Sequence, residues 1–135
     1  MPPVITHTPV YCLDLDASRA FYTERLGFEV RNDVQFPEMR WLTVAAPGDT
    51  HELLLAAVDE HIPSGDRDAM RGIVAKGVLP VFVQVDDLDA TFEALRAAGA
   101  EVLQEPIDQP YGVRDCAVRD PSGNHLRLSQ PRAAG

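Results

Sequence analysis

The chain has 135 residues, of which 45% are hydrophobic, and its formal net charge is −9. This is enough apolar material for a packed core, outside the range of disordered chains, and the length suits one compact domain or two small modules sharing a core. The acidic balance excludes the basic surface that nucleic acid or an anionic membrane would need, and no stretch reaches the roughly 20 apolar residues of a membrane span.

The opening Met1-Pro2-Pro3-Val4 lacks the basic and then apolar pattern of a secretory leader, so a cytoplasmic protein is expected. Cys12 and Cys116 have apolar neighbours and no metal-type spacing, and are expected as buried free thiols.

In chain order, Ile5 to Leu13 reads as a strand carrying Val10 and Tyr11. Asp14-Leu15-Asp16 makes a turn, and Asp14 or Asp16 caps a helix from about Ala17 to Leu26. Ala17, Phe21, Tyr22 and Leu26 fall on one helical face, and Gly27 fits the left-handed residue that ends the helix. Phe28 to Asn32 is the second strand. Arg40 to Ala45 is the third, with Leu42 and Val44 on one face and Trp41 and Thr43 on the other. Pro47-Gly48-Asp49 turns the chain into a fourth strand, His51 to Val58. The polar stretch Asp59 to Gly77 holds a short helix from about Asp66 to Ala75.

The pattern then repeats. Asp14-Leu15-Asp16-Ala17 recurs as Asp87-Leu88-Asp89-Ala90, and Gly27-Phe28-Glu29-Val30 is echoed by Gly99-Ala100-Glu101-Val102. Leu79 to Val85 is a strand, Leu88 to Ala98 a helix and Glu101 to Gln104 a strand, followed by a loop from Pro106 to Pro110. Val113 to Arg119 and Asn124 to Ser129 form a hairpin about Asp120-Pro121-Ser122-Gly123. The expected organisation is a first βαβββ module over residues 1–58, a linker over 59–77, a second module over 78–130 and a tail over 131–135, in one compact domain. The fold class is α+β, with the two modules forming a curved eight-stranded mixed sheet around a cleft. A concave site lined by alternate strand residues suits a small ligand.

The stretch from Asp14 to Phe28, with Phe21-Tyr22-Thr23-Glu24-Arg25-Leu26-Gly27-Phe28, resembles the helix signature of the vicinal oxygen chelate superfamily, the group of glyoxalase I, the bleomycin-resistance proteins and the extradiol dioxygenases. Asp120-Pro121-Ser122-Gly123-Asn124 resembles the hairpin near their C-terminus, and Arg40 to Gly48 is similar to a segment of one broad branch. These are scaffold residues, and the superfamily includes lyases, isomerases, dioxygenases, thiol transferases and antibiotic-binding proteins, so the fold does not choose the activity.

The resemblance implies a divalent metal in the enzymes, held by one His, Gln or Glu from each of four strands and acting as a Lewis acid. His7, fourteen residues before Phe21, fills the first position. Glu52 fills the second, with a register placing Leu54 there nearly as good. The third and fourth fall on Pro80, which has no ligand atom, and Arg127, whose guanidinium is permanently charged. No metal or other cofactor is therefore expected, and a divalent metal belongs to the alternative reading. An ion pair between Glu52 and Arg127 would fill the space of the metal.

The expected ligand-binding residues are His7, Tyr11, Trp41, Glu52, Tyr111 and Arg127, with His7 and Glu52 as the catalytic candidates. Trp41 and Tyr11 suit stacking on a flat or cationic ligand. Tyr111 and Arg114 are expected at the cleft mouth, His125 beside Arg127, and His61 solvated in the linker. The reading that follows is a small-organic-ligand-binding protein of the resistance or sequestration type. The alternative is a metal-dependent lyase, isomerase or dioxygenase, or a metal-free isomerase with His7 or Glu52 as general base. The partners expected are a small-molecule ligand or substrate and a second copy in a homodimer.

Overall fold

Asp14 and Asp87, the first residues of the two repeated tetrapeptides, each cap a helix. Their carboxylates accept from the amides of Ala17 at 3.0 Å and Ala90 at 3.1 Å, which satisfies donors otherwise orphaned at a helix start. This is seen in a computed structural model that describes residues 1–132. The chain divides into two compact units, Met1–Val74 and the part from Ala75 onward.

The first unit contains β1 (His7–Cys12), α1 (Leu15–Ala20), β2 (Glu29–Gln35), β3 (Arg40–Ala45) and β4 (Glu52–Ala57). The predicted helix begins two residues earlier than expected, and from Phe21 to Arg25 it continues as a π-helical turn. The short helix α2 (Val58–His61) and a 3-10 turn at Ser64–Asp66 lead to α3 (Arg67–Ala75), which ends at the boundary between the units. The strands pair in the order β1-β4-β3-β2, with β1 parallel to β4 and the other pairs antiparallel.

The second unit contains β5 (Pro80–Gln84), α4 (Leu88–Ala97), β6 (Val102–Asp108), β7 (Val113–Arg119) and β8 (His125–Pro131). Its order, β5-β8-β7-β6, repeats the first, again with one parallel pair. The eight strands thus form two four-stranded mixed sheets, each with its own hydrogen-bond ladder.

Alternation sorts each sheet into a core face and an open face. In the first unit Val10, Leu42, Val44 and Leu55 are buried, and α1 packs against β4. In the second, Leu126 and Leu128 of β8 and Cys116 and Val118 of β7 are fully buried, with Leu88, Phe92 and Leu95 of α4. Each such aliphatic side chain contributes roughly 1.5–3 kcal/mol. An ionic clip is duplicated too. Arg40 donates to Asp16 at the start of α1 (2.7 Å) and to Asp33 on β2 (2.8 Å), while Arg114 donates to Asp89 at the start of α4 (3.0 Å) and to Asp108 on β6 (3.3 Å). These pairs are exposed on at least one side, so they fix register more than they stabilise.

Two of the boundaries that differ from expectation have a physical reason in the strand pairing. Pro106 was placed in a loop, yet β6 runs through it to Asp108. The β6–β7 register shifts between Gln104 and Ile107, so the proline falls where the ladder is already irregular and needs no donor. β8 continues to Pro131, so the second module extends past residue 130, and the Gln130 side chain accepts from the Leu88 amide at 2.8 Å. Of the predicted tail, residues 133–135 lie outside the described residues.

Cys12 and Cys116 are thiols outside any disulfide and at most 1% exposed. Burial pushes the Cys116 thiol up to about 11. An aromatic disulfide reagent is therefore expected to find no rapidly reacting thiol in the native protein and two after denaturation. Rapid labelling of either cysteine before denaturation would contradict this packing.

Candidate functional site

On the first sheet, β1 and β4 run parallel with His7 directly opposite Glu52. Glu52 is thus the cross-strand neighbour of His7, while Leu54 lies opposite Pro9. His7 Nε2 lies 3.4 Å from Glu52 Oε1, and His7 Nδ1 lies 2.9 Å from Thr6 Oγ1. A proton on Nε2 suits both partners, since it donates to the carboxylate while Nδ1 accepts from the hydroxyl; the partners assign this tautomer.

Asn32 on β2 donates to Thr43 Oγ1 on β3 at 3.0 Å and to Glu52 Oε1 at 3.4 Å. The hydrogen bond from Thr43 does most to hold the Glu52 carboxyl below its usual range. Partial burial opposes it, and the charges of His7 and Arg31 and the amide of Asn32 add to it. Trp41 leans toward the pair, its ring centroid 5.5 Å from that of His7 with the planes tilted by 55°. Tyr11 shares the His7 face of β1 by alternation and is half-buried. The first sheet therefore brings His7, Glu52 and Trp41 together, with Tyr11 further along the same face.

On the second sheet, register places Gln104, Ala117, Arg127 and Phe82 in one row across four strands. Asp115, one step along that face, is only 2% exposed. Its carboxylate accepts from Gln104 Nε2 (2.8 Å), Gln109 Nε2 (2.9 Å) and the Tyr111 hydroxyl (3.0 Å), and pairs with Arg127 Nη1 (3.1 Å). Arg127 Nη1 also donates to Gln104 Oε1 at 3.1 Å. Burial alone would raise the Asp115 carboxyl; the four donors together outweigh it and hold the group below its ordinary range.

Sequence reasoning named Tyr111 and Arg127 as ligand-binding candidates but did not name Asp115, Gln104, Gln109 or Phe82. The available signal was an aspartate between apolar positions of a strand, which needs donors if it is buried. Arg114, expected beside Tyr111, is instead committed to the helix clip. Within the first unit Glu52 pairs with His7, and within the second Arg127 pairs with Asp115. His61, expected to be solvated, buries its Nε2 without a hydrogen-bond partner. His125 lies opposite Pro80; burial and the charges of Arg127 and Arg119 lower its pKa below the ordinary imidazole value.

The residues that the family resemblance puts at the four ligand positions do not, by their chemistry, make a four-ligand divalent metal site. His7 and Glu52 supply two donors, Pro80 supplies none, and Arg127 brings a cation. Among the described residues, no group of three His, Cys, Asp or Glu side chains is placed to hold a metal ion.

A model of the Glyoxalase/Bleomycin resistance protein/Dioxygenase superfamily matches residues 4–128. A probable lactoylglutathione lyase of Vibrio cholerae is 30% identical over 131 residues, covering 96% of this chain and 92% of its own. Among solved structures, UcmS2 matches with a TM-score of 0.86 at 40% identity, over 96% of this chain and 98% of its own. TnmS3, an antibiotic binding protein from Streptomyces sp. CB03234, matches with a TM-score of 0.75 at 28% identity, over 96% and 97%. No described helix is long and apolar enough to cross a membrane. By its repeated βαβββ topology and by the match over nearly its whole length, the chain belongs to the glyoxalase/bleomycin resistance protein/dioxygenase superfamily.

Proposed function

We propose that this protein binds a small organic molecule, of the class of flat natural-product antibiotics, without the four-ligand metal of the family's enzymes. The observation that carries this reading is Arg127. It stands at a ligand position of the family, and its guanidinium is tied to the buried carboxylate of Asp115. A fixed cation repels a metal ion and offers N–H donors to an organic ligand instead. The likeness to TnmS3, an antibiotic binding protein, supports the ligand class. The state of Glu52 supports binding over proton abstraction. A general base works best with a pKa near the working pH, and four side-chain neighbours, Thr43 foremost, hold this carboxyl low.

A second reading, a lyase, isomerase or dioxygenase, is favoured by the His7–Glu52 pair and by the relative described as a probable lactoylglutathione lyase. Thermal denaturation separates the two. A panel of flat aromatic antibiotics with bleomycin, and separately the hemithioacetal of methylglyoxal and glutathione, is added to protein purified without chelators. A ligand at 100 times its Kd adds about 2.7 kcal/mol of stability, which raises Tm by several degrees. We expect such a shift from a panel member and substoichiometric metal by elemental analysis. Stoichiometric metal that is lost in His7→Ala, together with turnover of the hemithioacetal, would establish the second reading instead. We also take the chain to be a homodimer, since each sheet has two edge strands open to pairing; sedimentation equilibrium tests it.

A further inference from the structure

We propose that the open face of the second sheet is a subsite for an aryl amide or similar flat aromatic group with a neutral acceptor oxygen, its ring on Phe82 and its oxygen on Arg127. This rests on the binding reading above and names the chemistry of the ligand.

Phe82 sits in the middle of β5 and is 71% exposed. A phenylalanine left in water on a regular strand forgoes its burial, so the ring is available to a partner. Register sets it opposite Arg127, with both side chains on one face. Arg127 is not a free surface cation. Its Nη1 is held by Asp115 and by Gln104, each at 3.1 Å, and Asp115 is itself 2% exposed and fixed by further donors. Nε and Nη2 make no hydrogen bond among the described residues. The guanidinium is thus oriented at one end and open at the other, next to an exposed aromatic ring. Tyr111, 67% exposed, adds a second ring whose hydroxyl is tied to the same carboxylate.

The charge of the ligand follows from the pair. Asp115 offsets part of the Arg127 charge, and the chain as a whole carries −9, so an anionic group gains little here. A cationic group meets the guanidinium directly. A carbonyl oxygen accepts from the open N–H groups with neither penalty, while its ring stacks on Phe82.

The test uses the full chain, labelled with nitrogen-15 and titrated with 2-naphthamide, 2-naphthoate and protonated 2-naphthylmethylamine. We expect 2-naphthamide to bind tightest and to shift the amide signals of Phe82, Arg127 and Ala117. Phe82→Ala, at an exposed position, should leave the spectrum folded and weaken this probe about tenfold. Arg127→Lys keeps the charge but loses the planar fork, and should weaken it as well. Tighter binding of the carboxylate or ammonium probe overturns the subsite, as does an unchanged Kd in Phe82→Ala or the binding of no probe. If Phe82→Ala dissociates a dimer and no probe reaches the ring, a second copy is the occupant and the subsite falls. A panel antibiotic that stabilises the parent and Phe82→Ala equally removes the subsite but leaves the binding reading standing; if no panel member binds, that reading fails as well.

Discussion

Gly123→Ala is expected to destabilise the protein by about 3 kcal/mol or more. Gly123 lies in the turn between β7 and β8 with φ at +104°. The turn is built on Asp120, whose Oδ1 accepts from the amides of Ser122 and Asn124, each at 2.9 Å, and whose Oδ2 accepts from the Asn124 side chain at 3.0 Å. A Cβ on Gly123 would sit 2.6 Å from the carbonyl oxygen of Ala75 and 2.8 Å from its Cα. Both are backbone atoms, so nothing can rotate away. Gly48→Ala is the internal control. That glycine has φ at +80° but open space around its Cβ position, so only the conformational penalty of about 1–2 kcal/mol applies. Urea unfolding of the two variants separates the strain of a left-handed residue from the clash. A Gly123→Ala midpoint no lower than that of Gly48→Ala would show that the Ala75 backbone yields, contrary to the close approach described.

What was legible in the sequence was local. The Asp-Leu-Asp-Ala tetrapeptides announced two helix starts because an N-cap acts on an amide three residues away, and the structure shows both caps. Strands β3 and β7 were read to the residue because alternation and flanking turns lie within a short window. The repeat made the two-module topology legible as well, since one unit's pattern predicts the other's. Pro106 and the extension of β8 to Pro131 were not legible, because a bulge and a strand end depend on the partner strand rather than on the residue itself.

The candidate site divides along the same line. His7 and Glu52 were named from the family pattern, but their direct juxtaposition comes from the parallel register of β1 and β4. Asp115 went unread because its meaning depends on Gln104, Gln109 and Arg127, which are brought to it by other strands and a turn. Phe82 was hidden for the opposite reason. A phenylalanine in a strand reads as core, and only its exposure in the folded chain shows that it faces outward. The row that joins Phe82 to Gln104 runs across four strands and has no image in the order of the chain.

That row makes Arg127→Met the second large prediction. Removing the guanidinium leaves the Asp115 carboxylate, 2% exposed, with only neutral donors from Gln104, Gln109 and Tyr111. Breaking a fully buried ion pair costs 3–5 kcal/mol, but Arg127 is 25% exposed and three donors remain, so a loss of about 2 kcal/mol is expected near neutral pH. The pH dependence follows from the sign of the Asp115 shift. Its folded pKa lies below the ordinary value, so its contribution is present above the unfolded pKa, about 3.9, and is lost as pH falls through the lower folded value. Arg127→Met removes one source of that depression, and a protonated carboxyl no longer needs the cation. The stability gap between the parent and Arg127→Met should therefore be wide at neutral pH and close in acid, as measured by the difference in urea midpoints. A gap that stays constant from neutral pH down through that range would mean that Arg127 stabilises by packing its methylenes, and that the guanidinium is not held by the carboxylate. The same measurement bears on recognition. A donor that the protein holds in place before the ligand arrives loses little freedom on binding, so a closing gap also indicates that the second sheet presents Arg127 already oriented.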